Sequence, residues 1–181
     1  MADNELTLDW LIANQGEFLQ QFGIDHHKII TGYESWKSNY PEHLITGYFC
    51  ELLRQASLFN MKHAQTEEEY YSVNIQIVSK KLEFSPHLSM ENKIYLQGHI
   101  HLNKLSVSYS TLPYLFNVQI KADNCCLYCR KKDKQIFPLE KVIKRSYLPF
   151  AKCKNESGCN CSYIIVPLID DMGNLVMKNT R

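Results

Sequence analysis

Six of the chain's seven cysteines fall between positions 125 and 161: Cys125, Cys126 and Cys129, then Cys153, then Cys159 and Cys161, with Cys50 standing apart. Thiols this dense bind a soft metal, form disulfides or exchange electrons. The opening residues Met1-Ala2-Asp3-Asn4-Glu5 have neither the basic start nor the apolar run of a secretory signal. No stretch approaches the ~18–20 apolar residues of a membrane span. The expectation is a cytoplasmic protein with no membrane partner, where thiols stay reduced and clustered cysteines serve as metal ligands rather than disulfides.

Cys126-x-x-Cys129 has knuckle spacing, which sets two thiolates at two corners of a tetrahedral zinc site with bonds of about 2.3 Å. The other corners fall to Cys153, Cys159 and Cys161. The preferred quartet is Cys126, Cys129, Cys161 and one of Cys153 or Cys159. Cys125 is read as a packing residue, because adjacent side chains rarely converge on one ion. Six cysteines offer too few companion ligands to favour two metals. Three other readings compete with structural zinc: unliganded core cysteines, an iron–sulfur cluster, and a redox dithiol at Cys126 and Cys129. The dithiol ordinarily opens a helix of a βαβ unit, which is absent.

The rest of the chain splits into two textures. Apolar residues recur at helical spacing over Leu8–Phe22, with Thr7 as cap and Gly23 as stop. Further helices are expected over Asp25–Lys37, from Pro41 to Phe59, from a Thr66/Glu69 capping box to Lys81, and from Ser89 to Leu105. Gly98 and Pro86 count against that last region. From Ser106 the pattern turns to alternation: Val107, Tyr109, then Leu115–Ile120; a short strand at Gln135–Phe137; one or two helical turns over Leu139–Ser146; and a strand at Ser162–Pro167. The predicted fold is α+β: an N-terminal helical bundle, 1–105, and a small cysteine-rich, zinc-ribbon-like β module, 106–181. With 181 residues, 45% hydrophobic and 22% charged, the chain builds one good core and a small appended unit. Units below ~40–50 residues generally need a staple such as a metal.

The run Asn117–Cys129, then Phe137, Leu148-Pro149 and Cys159-Asn160-Cys161-Ser162-Tyr163, resembles a cysteine module of phage Mu F-like minor head proteins and of many bacterial proteins. The resemblance covers about 50 residues. It implies a strand, a Cys-x-x-Cys knuckle, a Leu-Pro and a Cys-x-Cys before a second strand, stabilised by metal. It does not carry over a phage-head role. The family's Gly in the first turn is Asp133-Lys134 here. Its His-Pro before the Cys-x-Cys is replaced by the stretch that begins at Cys153, so the resemblance implies Cys153 in place of that histidine.

Function is read from surfaces. Residues 1–120 carry 8 Lys/Arg against 13 Asp/Glu, and residues 121–181 carry 12 against 6. Arg130, Lys131, Lys132, Lys144 and Arg145, with Lys134, Lys141, Lys152 and Lys154, surround the cysteines. Tyr128, Phe137, Tyr147 and Phe150 are interleaved, a footprint suited to phosphate contact with base stacking. A closed site of four thiolates around zinc is anionic, so the lysines also have a plain solubilising role. Asp25-His26-His27 reads as a capping or solvated group, and His99-x-His101 would share a face only on a strand. The expectation is a non-enzymatic, zinc-stabilised binding or adaptor protein of bacterial or phage type with a protein partner. Nucleic-acid binding through the basic module is the alternative, and a metal-dependent nuclease or hydrolase using His99 or His101 the second.

Overall fold

Among the described residues five helices precede the first strand, and side-chain caps set the start of most of them. The computed structural model describes residues 7–40, 45–84, 88–123, 125–154 and 159–179. Helix α1 (Leu8–Gln20) begins where Thr7 Oγ1 accepts from Trp10 N at 3.1 Å. In α2 (His26–Asn39), Asp25 Oδ1 accepts from Lys28 N at 2.8 Å, so Asp25 is a cap. Helix α3 spans Ile45–His63; the expected start at Pro41 lies outside the described residues, as does Pro86. In α4 (Glu67–Glu83), Glu69 N donates to Thr66 Oγ1 at 3.1 Å. The Glu69 carboxylate reaches one residue beyond the cap, to Gln65 N at 2.8 Å.

Helix α5 (Met90–Thr111) is the main departure from the sequence reading. It continues past Leu105, and Val107 and Tyr109, expected in a strand, lie within it. It runs beside α4 and also reaches the sheet. Packing overrides the local alternation: Leu102, Leu105 and Leu112 join Phe116, Val118, Leu139 and Val142 in one core cluster. The first four helices close over a separate core of Leu11, Leu19, Ile29, Leu52, Leu53, Ala56 and Ile77.

The sheet has order β2-β1-β3 and is antiparallel throughout. Strand β1 (Phe116–Ala122) lies between β2 (Ile136–Pro138) and β3 (Cys161–Pro167). Phe116, Val118 and Ile120 turn inward and are buried, while Asn117, Gln119 and Lys121 face outward, the period-two pattern of a one-sided sheet. Two short helices complete the module, α6 (Leu127–Arg130) and α7 (Leu139–Lys144). The fold is thus α+β, with the cysteines at the end of the sheet where β1 leaves and β3 enters.

Gly98 and Tyr163 join helix to module. A Cβ on Gly98 would lie 3.3 Å from the Leu148 carbonyl oxygen, so the glycine that weakened the helix in sequence is what lets the 146–150 loop approach α5. The Tyr163 hydroxyl accepts from Tyr147 N at 2.9 Å and Leu148 N at 3.0 Å. Its ring sits edge-on to His101 at 5.8 Å. Tyr163→Phe removes the acceptor from both amides at once. We expect a loss of about 1–3 kcal/mol, the cost of buried donors left unpaired. Urea unfolding measures it, and an unchanged midpoint would show that the phenol does not hold the loop.

Candidate metal centre

Three separated stretches deliver the thiols. Strand β1 ends at Ala122, which pairs with Cys161 at the start of β3. The chain then turns into α6, whose first flanking residue is Cys126. One helical turn brings Cys126 and Cys129 to the same side, and the turn is closed by Arg130 N donating to the Cys126 carbonyl at 3.0 Å and Lys132 N to the Cys129 carbonyl at 2.8 Å. Cys153 follows α7 in a turn, its N–H donating to the Phe150 carbonyl at 3.0 Å. Cys159 and Cys161 arrive from the third stretch.

The Sγ atoms converge on Cys129. Cys126 and Cys129 are 3.7 Å apart, Cys126 and Cys153 3.9 Å, and Cys129 and Cys159 4.0 Å. Cys126, Cys129 and Cys153 form one group within 4.8 Å of each other, and Cys129, Cys159 and Cys161 form another. Tetrahedral bonds of about 2.3 Å give ligand–ligand edges of about 3.8 Å, so these separations suit a thiolate-bound metal. The choice between Cys153 and Cys159 left open by spacing takes a different form in the structure, because both stand in the cluster. Cys125 belongs to neither group; its Sγ lies 3.5 Å from the Ala122 carbonyl, and the residue packs in the core around Ile120, Leu148 and Phe150.

Burial grades the thiols. Cys129 has no solvent exposure and Cys161 2%. Burial, reinforced by neighbouring thiols, pushes the Cys129 thiol far up, and burial with Cys159 beside it pushes Cys161 up to about 12. Cys126 is drawn down to about 6, first by the Lys154 backbone N–H, which donates to its Sγ at 3.4 Å. Thiolates crowded this closely repel one another, and a bound cation removes that cost.

The turn after the knuckle shows how the chain dispenses with glycine. Lys134 takes the left-handed conformation, φ 63°. Its N–H donates to the Ile120 carbonyl at 2.8 Å, and the Asp133 carboxylate accepts from Ala122 N at 2.9 Å. These two bonds offset the strain of a side chain at positive φ.

The basic residues occupy two places. Arg130 ends α6 and is exposed, Lys131 and Lys132 continue into the turn, and Lys144 and Arg145 lie exposed at the end of α7. His99 and His101 are on helix α5, not a strand, and neither belongs to a thiol group. His99 packs on Tyr95, ring centroids 4.4 Å apart. Burial, with Lys104 adding repulsion, lowers His101 to about 4. Spacing gave no hint of the Tyr163 clasp; its only trace is an inward-facing tyrosine two residues after Cys161.

His101 makes stability depend on pH. Its folded pKa of about 4 lies below the ordinary 6.5, so the unfolded chain takes the proton first. The His101 contribution is complete above about pH 6.5 and is lost as pH falls toward 4. Relative to His101→Gln, the wild type should lose about 2 kcal/mol between about pH 7 and pH 5. Parallel urea curves at the two pH values check this, and a difference that stays constant would refute it.

Among the described residues, no helix is long and apolar enough to cross a membrane. Comparison with protein-family models, curated proteins and solved structures returns no match for this chain.

Proposed function

We propose that the thiols hold one structural zinc in a zinc-ribbon-like module, and that the protein is a non-enzymatic adaptor presenting the module and the helices to a protein partner. One observation carries this reading: five thiols from three stretches converge on a fully buried sulfur in a small unit with three strands. The resemblance to the Mu F-like cysteine module supports the staple. The four ligands are drawn from the five clustered thiols, Cys126, Cys129 and Cys153 in one close group and Cys129, Cys159 and Cys161 in the other. A shell of four thiolates is closed, which suits a structural metal and leaves no position for a catalytic water. Metal binding is then folding energy for the module. Elemental analysis should find about one zinc per chain. Chelation, or Cys126→Ser or Cys129→Ser, should open residues 112–179 to proteolysis while α1 to α4 stay protected. Cleavage that is the same with and without chelator would defeat the staple.

Nucleic-acid binding is the second reading. Residues 125–154 hold nine Lys/Arg against Asp133 and Glu140. Among the described residues the ion pairs are Arg54–Glu51 and Lys121–Asp123, and neither includes one of the nine. Leu127 and Tyr128 stand exposed beside Arg130 at the knuckle tip. Arg130→Glu with Lys131→Glu should weaken binding to a single-stranded oligonucleotide and reduce the slope of log affinity against log salt by about 2. Wild-type binding that does not respond to salt would rule out phosphate contact.

A further inference from the structure

The cluster holds more sulfur than one zinc uses. Its five thiols fall into two triangles, Cys126–Cys129–Cys153 and Cys129–Cys159–Cys161, which share the Cys129 vertex. Edge lengths do not decide the coordination number. With bonds of about 2.3 Å, a three-coordinate ion spans edges of about 4.0 Å and a four-coordinate one about 3.8 Å, and the Cys126–Cys129, Cys126–Cys153 and Cys129–Cys159 separations are 3.7, 3.9 and 4.0 Å. For two ions, the ligand count does separate the cases. Two four-coordinate ions sharing one thiolate need seven ligands. Two three-coordinate ions sharing one need five, and five are in place.

We propose that the cluster binds two copper(I) ions, one in each triangle, with the Cys129 sulfur bridging them. The inference rests on the thiolate cluster proposed above, but not on zinc as its occupant. Four observations support it. Both groups are sulfur only, with no histidine or carboxylate among the described residues completing either, and all-thiolate sites favour soft ions such as copper(I). The shared sulfur is the most buried of the five and lies in both groups. Each triangle keeps partly exposed members, Cys126 and Cys153 in one and Cys159 in the other, so an ion has a way into both. Five thiolates and two monovalent ions leave a formal charge of −3, which the nine surrounding cations offset. Binding releases the thiol protons to solvent and moves no electrons, because the metal arrives and remains as copper(I).

The test uses the full chain, reduced and free of oxygen. Zinc(II) and, separately, copper(I) buffered by a competing copper(I) chelator are titrated in, and native mass spectrometry counts the ions bound. We expect one zinc and two copper ions. Cys161→Ser removes a corner of the second triangle alone, and should halve the copper count while leaving the zinc count at one. Cys129→Ser should hold at most one copper ion, and Cys125→Ser should still hold two. One zinc with one copper overturns this proposal and leaves the zinc staple standing. Two copper ions without zinc support it and remove the zinc reading. Neither metal bound overturns both. A copper count that Cys161→Ser does not lower also overturns it, by showing adventitious loading.

Discussion

The C-terminal half is organised around one buried sulfur. Cys129 is fully enclosed, and its neighbours include Ile120, Leu148, Phe150 and Cys161. A neutral thiol in that place is a small apolar side chain. A thiolate there is a charge that only a cation or several hydrogen bonds can accommodate. Either way the same atom belongs to the core and to the thiol cluster, so any metal bound there would be held by a packing residue. The knuckle helix α6 is only four residues long, and the chain that brings Cys153 comes from a loop. Neither has the internal hydrogen bonding to stand alone, which is why convergence on Cys129 matters more than any one strand.

Helix α5 extends this dependence into the rest of the molecule. It runs beside α4, and its C-terminal half supplies Leu105 to the core beneath β1. Nearer its middle, Gly98 admits the loop that carries Leu148, and Leu148 packs in the core that contains Cys129 and Cys161. Lys178, near the end of the described chain, donates to the Tyr109 carbonyl and lies over the Tyr109 ring, tying the last strand-like segment back to the same helix. A disturbance at the thiols therefore has a short physical route to α5: through Cys161 to Tyr163, and from its ring and hydroxyl to His101 and the 147–148 amides.

Much of this was legible in the sequence because local rules governed it. Thr7, Asp25, Thr66 and Ser89 are short polar residues ahead of apolar periodicity, and each caps its helix. Inward alternation at Phe116, Val118 and Ile120 marked β1. The Cys-x-x-Cys spacing located the knuckle. What was not legible depended on contacts distant in sequence. Val107 and Tyr109 alternate as a strand would, but α5 continues through them because its leucines are needed under the sheet. Gly98 counted against the helix that runs through it because its partner, the Leu148 carbonyl, lies fifty residues away. For the thiols, spacing identified the group but not its partition into two triangles, which is set by where α6, the Cys153 turn and the start of β3 come to rest.

The charge of a metal-loaded cluster would also shape what this surface complements. Four thiolates around zinc leave −2, and five around two copper(I) ions leave −3. Residues 125–154 contribute nine positive charges and two negative ones. Subtracting either centre from that excess leaves about +5 or +4 on a small surface, with Lys121 paired to Asp123 just outside it. A solubilising role needs exposed charge of either sign and gives no reason for such an imbalance, particularly when residues 1–120 are net acidic. Neutralising an anionic metal centre accounts for two or three of the cations and not the remainder. Arg130, Lys131 and Lys132 lie next to the knuckle tip, where Leu127 and Tyr128 are exposed. A surface that joins net positive charge to exposed apolar and aromatic groups is complementary to an acidic surface with flat or apolar elements of its own, whether an acidic protein face or a single strand of nucleic acid.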